Sequence, residues 1–328
     1  MIRGILRGTS LSVDCVVFAV MFPTPQNSLG RYVLRRLVSL GYQCSAQVLF
    51  AGSFGLCTSR PRTILLGADA EEILPVAPRP SHHSPTQHYR TKLPGKVAQL
   101  VQRPAERRVR KGCRYTDGLG ELKPALTLGD VIGDRKVFPA FVPEERPNFD
   151  DSVNNEWEDR FDNDWSKEDA RGHGSVLNHR SFVLNMDDNA RVRLVPEGGN
   201  WEDIQRLVAS GAQPAQLPSG KPLVSKYMKH NKKGNADLPF KRLKFTEGMR
   251  TVICRIVPHT QQSIHPVDDR VMSVREMMCV QGFPLDYVVR GSLLKQYKQA
   301  GNAVPPPLAR AIGVALRRAA AARVPDRK

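Results

Sequence analysis

The chain has 328 residues and a formal net charge of +17, enough length for one or two domains with a sizeable core. The positive surplus suits polyanionic partners through phosphate neutralisation and counterion release, or else belongs to a solvated surface and tails. Six cysteines with no CxxC pair argue against a disulfide framework or a zinc site and suit a reducing compartment, and no stretch approaches the roughly 20 apolar residues of a membrane span.

In residues 1–27, Arg3 and Arg7 precede an apolar run, 16–22, in the manner of a signal peptide. Asp14 interrupts that pattern and no small-residue cleavage site follows. The segment reads as a leader unrelated to what comes after, with a secretory leader as the alternative. Residues 29–40 predict an amphipathic helix with Tyr32, Leu34, Leu37 and Leu40 on or near one face. Residues 37–68, LVSLGYQCSAQVLFAGSFGLCTSRPRTILLGA, read as a helix end, a strand, a Gly-marked loop and a second strand built on the apolar run 63–66. Arg60 and Arg62 fall between the strands, where they are either a solvated turn or a pair of planar, permanently charged donors.

Residues 75–85 are Pro- and His-rich and read as a loop. His82, His83 and His88 lack a Cys partner or an i, i+4 spacing, so no metal site is expected. Residues 89–114 are strongly basic, compatible with either a nucleic-acid-facing insertion or a solvated loop. Residues 144–169 are acidic and carry Trp157 and Trp165, the composition of a solvated loop pinned by aromatics. In 194–204, LVPEGGNWEDI, Gly198 and Gly199 allow close backbone approach and Trp201 supplies an apolar anchor. Residues 221–244 turn basic again, with Lys232, Lys233, Lys241 and Arg242; phosphate contact is the favoured reading and an ordinary Lys-rich surface the alternative. Thr251 and Val252 open a β-rich run to Val257 that Pro258 ends.

Toward the tail, Ser273 and Glu276 have the spacing of a capping box. Gln281, Gly282 and Pro284 then stop that helix. Gly301 and Asn302 predict a tight turn, and Pro305 to Pro307 the start of a last helix with Leu308, Ile312 and Leu316 at four-residue spacing.

Two dense stretches in order, RVMSVREMMCVQGFP at 270–284 and QYKQAGNAVPPPLARAIG at 296–313, resemble the last two motifs of DNA (cytosine-5) methyltransferases. The strand–loop–strand carrying Arg60 and Arg62 resembles that family's arginine motif, although Cys57-Thr58 stands where the family has Pro-Gln. Thr127-Leu-Gly-Asp130, Asn178-His179, the 194–204 block and Thr251-Val252 resemble parts of its target-recognition region. The likeness covers about residues 29–316. The family's Pro-Cys loop, Gly-rich cofactor loop and Glu-Asn-Val segment have no counterpart, and none of the six cysteines follows a proline.

The resemblance implies an α/β fold: a partial S-adenosylmethionine-dependent methyltransferase (Rossmann-like) sheet with a mixed, loop-rich target-recognition region. Its boundaries fall at 28–75 for the distal strands, 76–265 for the recognition region, 266–318 for the final motifs and 319–328 for a basic tail. It implies that Arg60 and Arg62 hold a flipped cytosine and its phosphate, with Thr251 and Val252 nearby. Asn302, Ala303 and Val304 line the S-adenosylmethionine pocket, Arg275 and Glu276 organise the recognition region by ion pairing, and Gln281 and Gly282 end the helix that carries them. The implied partners are double-stranded DNA and a polypeptide carrying the missing front motifs, in the nucleus if the source is eukaryotic. Lacking the nucleophile, the chain is expected to be a truncated fragment, inactive alone; a non-enzymatic DNA-binding module and a complementing half are the alternatives. A half-sheet would also leave the apolar faces of 48–50 and 64–66 incompletely covered.

Overall fold

The computed structural model describes residues 15–20, 28–70, 72–85, 100–102, 121–140, 143, 176–224, 239–254, 256–259 and 262–321. The chain forms two compact units. The first is Met1–Gly55, Ser59–Ala125 and Pro306–Lys328; the second is Leu56–Thr58 and Leu126–Pro305. Helices and strands are mixed along the chain, as the α/β expectation requires.

The first unit is built on four strands: β1 (Cys15–Val20), β2 (Gln43–Phe50), β3 (Pro61–Ala68) and β4 (Leu100–Gln102), in the order β1-β3-β2-β4. β3 is antiparallel to both neighbours, from Cys15↔Ala68 to Val20↔Thr63 on one side and from Gln43↔Ala68 to Phe50↔Pro61 on the other. β1 and β2 therefore run the same way with β3 reversed between them. Six of the 27 residues read as an unrelated leader thus lie in register in this sheet. Ile64, Leu65, Leu66 and Leu49 are buried while Val48 and Phe50 are half-buried, so the incomplete coverage expected of these strands is absent at 64–66 and holds in part at 48–50.

Helix α1 (Ser28–Ser39) lies against β2. Leu34 and Leu37 join Cys44, Ala46 and Leu65 in a small core, while Tyr32, expected on the same face, is 64% exposed. A 3-10 turn, Ala51–Phe54, ends at Gly55, whose φ of 82° is the left-handed conformation glycine adopts without a Cβ penalty. The last helix, here α7 (Pro306–Ala321), packs on that turn, with Leu308 and Ile312 buried at the predicted four-residue spacing.

The second unit has a larger core drawn from many short elements, among them Leu128, Ile132, Phe182, Trp201, Ile204, Phe240, Ile264 and Met278. Its elements are α2 (Leu128–Ile132), α3 (Met186–Val192), α4 (Trp201–Ala209), β5 (Lys241–Arg242), β6 (Gln262–Ile264), α5 (Val274–Val280) and α6 (Leu293–Asn302). β5 and β6 pair in parallel. Capping boxes open α2 (Thr127 with Asp130), α4 (Asn200 with Asp203) and α5 (Ser273 with Glu276), satisfying N–H groups that a helix start leaves without partners. Trp201 begins α4 in the core as the anchor the sequence predicted. At Gly198, φ is +70° and a Cβ would overlap the Lys244 side chain, so the close approach expected there is present.

Two local expectations fail. Gly301 and Asn302 are not a turn but the last two residues of α6; the stop comes one residue later, where Ala303 is extended. No strand runs from Thr251 to Val257 among the described residues; an isolated bridge, Thr58↔Met249, lies just before the stretch. No helix among the described residues is long and apolar enough to cross a membrane.

Candidate functional site

The helix α5 motif is held by a buried ionic cluster. Glu276, with no exposed surface, accepts from Arg270 through both oxygens at 2.8 Å and from the Ser273 backbone N–H at 2.7 Å. Burial pushes its carboxyl up, but the hydrogen bonds and charge of Arg270 outweigh it and leave the group at about 2. Asp268 is likewise raised by burial, yet Arg135, His265 and Arg270 bring it down to about 2. Burial lowers His265 to about 4; its Nδ1 accepts the backbone N–H of Asp268 at 2.9 Å, so the ring is neutral. His179 ties the cluster onward, its ring nitrogens 2.9 Å from Ser273 Oγ and 3.0 Å from the Pro139 carbonyl.

Arg275 and Glu276 organise this region differently from the expected ion pairing with the recognition region. Glu276 pairs within its own motif. Arg275 donates to the carbonyls of Leu177 (2.6 Å), Pro284 (2.9 Å) and Tyr287 (2.6 Å), so it pins two loop segments by hydrogen bonds. Asn178, in the left-handed conformation at φ 59°, exchanges hydrogen bonds with the Val289 backbone and donates to Gln296. The Asn178-His179 pair is therefore a structural hub.

Arg242 corrects the DNA-contact reading. Its side chain is 5% exposed and its guanidinium is spent inside the unit. It donates to the carbonyls of Val192, Val195, His265 and Asp268 and pairs with Asp269 at 2.6 Å. With all five of its N–H donors spent on these acceptors, the guanidinium has none left for a phosphate. Lys241, next to it, donates to the Gly198 carbonyl. Lys232 and Lys233 lie outside the described residues, as do the acidic segment 144–169 and most of the basic segment 89–114.

The second unit does bring several motif segments together. Met249 N–H donates to the Cys57 carbonyl at 2.8 Å and Thr58 Oγ1 donates to the Arg250 carbonyl at 2.7 Å. The residues just before the arginine pair are thereby fastened to those just before Thr251 and Val252. Thr251 is half-buried and Val252 buried. Gln281, at the end of α5, donates to the Ala300 carbonyl at 2.6 Å, filling one acceptor that a helix end leaves open. Gly301 then meets the backbone of Ile253 and Cys254, and the Cys254 thiol donates to Asn302 Oδ1. Asn302 and Val304 are exposed and Ala303 half-buried. Gly282, at φ 77°, makes the left-handed stop expected of it.

In the first unit, Arg60 is fully buried with φ 24°, and its carbonyl accepts from Ala51. A positive φ at a non-glycine residue is strained, and such strain gathers at functional positions. Arg62 is buried too, with Nη1 donating to the Pro61 carbonyl at 2.8 Å. Neither is the solvated turn that was the alternative. Among the described cysteines, burial pushes the thiols of Cys44, Cys57 and Cys279 up to about 11, 12 and 11. Cys254 is half-buried; its place beside Asn302 was missed in the sequence, because 48 residues separate the partners and no spacing rule links them.

Comparison with known proteins gives the family. The family model for C-5 cytosine-specific DNA methylase matches residues 25–318. DNA (cytosine-5)-methyltransferase CMT1 of Oryza sativa subsp. japonica is 33% identical over 323 residues, covering 93% of this chain and 29% of that protein. DNA (cytosine-5)-methyltransferase 3 of Zea mays is 32% identical over 88% of this chain and 32% of its own length. CMT2 of Arabidopsis thaliana is 32% identical over 89% of this chain and 23% of its own. The chain thus spans about a third or less of the length of these relatives. The α/β fold accords with the match, and the chain belongs to the C-5 cytosine-specific DNA methylase family.

Proposed function

We propose that this chain supplies the base- and DNA-holding part of a DNA (cytosine-5) methyltransferase and transfers no methyl group by itself. The observation that carries the reading is the fastening of Cys57-Thr58 to Met249-Arg250. Within the second unit it sets Thr58, two residues before Arg60 in the sequence, against the residues just before Thr251. In this reading the target cytosine leaves the duplex, Arg60 and Arg62 hold its phosphate and ring carbonyl, and the Thr251 hydroxyl and Val252 methyls fit the sugar and phosphate. The strained backbone of Arg60 supports a functional role for that residue.

Asn302, Ala303 and Val304 would form one wall of an S-adenosylmethionine site, and their accessible position at the end of α6 suits that. The cofactor, when bound, supplies the methyl group. A Gly-rich loop to seat it is not present in the sequence. The C6 nucleophile must be a thiolate. With thiols near 11 to 12, about one in 10⁴ or fewer is ionised at pH 7, and the described buried cysteines cannot serve. A polypeptide carrying the front motifs would complete the enzyme, acting on double-stranded DNA in a nucleus. Raised thiols equally favour a second reading, a DNA-binding module without catalysis.

Incubating the purified chain with labelled S-adenosylmethionine and unmethylated duplex is expected to give no incorporation. Label at cytosine C5 that disappears on changing one of the six cysteines would sink the reading. Adding a polypeptide with the Pro-Cys and Gly-rich loops separates the two alternatives: restored transfer marks a complementing half, and none marks a binding module.

A further inference from the structure

Gly301 has no room for a side chain. A Cβ there would lie 2.5 Å from both Cys254 Cα and the Ile253 carbonyl carbon, well inside van der Waals contact and against backbone that cannot swing away as a side chain can. The last turn of α6 is therefore seated directly on the main chain that follows Thr251 and Val252. Two further ties lie on either side of the seat. Gln281 holds the Ala300 carbonyl from α5, and the Cys254 thiol holds the Asn302 carboxamide. Three successive residues, 300 to 302, are thus each fixed, Ala300 to Gln281 and the other two to Ile253 and Cys254 in the Thr251 segment.

We infer that Gly301 is a positioning residue: it locks the end of α6, and with it Asn302 to Val304, to the segment carrying Thr251 and Val252. The cofactor-facing and nucleotide-facing edges of the second unit then shift together rather than independently. Helix ends are ordinarily the first part of a helix to loosen, and a single exposed thiol hydrogen bond is a weak tie. The steric seat makes the joint specific, because only glycine lets two backbones come this close. Gly301 was expected to serve a turn; its helical setting assigns it to close packing instead. The functional meaning of the joint rests on the reading proposed above, whereas the joint itself rests on the packing.

The cysteines report on the joint without any methyl transfer or DNA. Cys254 is half-buried at the seam, while Cys44, Cys57 and Cys279 are buried elsewhere. Iodoacetamide labelling of the full chain, followed by peptide mapping, gives the rate at each. In Gly301→Ala the added methyl pries the seam apart, and Cys254 alkylation rises roughly tenfold or more while the three buried thiols keep their rates. Asn302→Ala, which adds no atoms, removes the thiol's acceptor and raises the Cys254 rate several-fold, again alone. If Gly301→Ala opens all four cysteines together, the glycine serves general stability, and the positioning role falls unless Asn302→Ala still acts on Cys254 alone. An unchanged Cys254 rate in both variants overturns the joint outright. Because labelling reads only the packing, these outcomes are independent of the methyl-transfer assay that tests the proposed function.

Discussion

Arg242 shows how a charged residue in a basic stretch can be committed inward. Five acceptors surround its guanidinium, four of them backbone carbonyls from two separate parts of the second unit, 192–195 and 265–268. Such carbonyls have no water to turn to, so truncating the side chain leaves them unsatisfied. Arg242→Ala is expected to cost about 2–4 kcal/mol in urea unfolding. It should leave the salt dependence of DNA binding unchanged. A variant of wild-type stability with a flatter salt slope would restore Arg242 to the DNA surface. In the sequence, Lys232, Lys233, Lys241 and Arg242 look alike. Burial separates Arg242 from its half-buried neighbour Lys241, and burial follows from tertiary packing that no local pattern encodes.

At the scale of the element, the segment from β6 through α5 stakes its stability on groups that titrate late. His265 is neutral in the fold, at about 4 against an ordinary 6.5, so the unfolded chain takes up its proton first as pH falls. Stability is thus full above about 6.5 and is lost between there and about 4, by on the order of 3 kcal/mol from this ring alone. Asp268 and Glu276, both depressed to about 2, extend the loss further into acid. Urea midpoints should fall steadily from pH 7 to pH 4, and His265→Gln should flatten that portion. A wild-type midpoint constant over the range would show that the ring is not a buried neutral one. The capping box of α5 was legible because its two partners sit three residues apart and their chemistry is local. The arginine strand pair and the last helix were legible for the same reason, through short apolar runs and prolines. β1 was not, since an apolar run after two arginines also fits a leader, and only its pairing with β3 decides. The 251–257 stretch failed in the opposite sense: its residues favour a strand, but no ladder runs through the described ones, and the isolated bridge Thr58↔Met249 falls just before it.

For the whole molecule, charge is the property that reaches a duplex. With +17 in 328 residues, binding should weaken steeply with salt, because neutralising phosphates releases counterions. Neutralising Lys232 and Lys233 together should reduce affinity for all sequences alike and lower the log–log salt slope by roughly 2. Fluorescence anisotropy on one duplex across a salt series measures both. A slope identical to wild type would remove these lysines from the interface, and undetectable binding at low salt would count against any role on DNA.

The first unit is assembled from both ends of the chain, since α7, at 306–321, packs on the turn at 51–54. About 250 residues of chain must be made before that contact can form, and loop closure over such a span is slow to reward the folding chain even though its entropic cost grows only gently with length. The second unit lies within that span and draws none of its core from α7, so it can compact first and shorten the effective loop. Folding would then proceed from the inside outward: the inserted unit forms before α7 is available, and β2 and β3, made ahead of it, wait for the helix made after it.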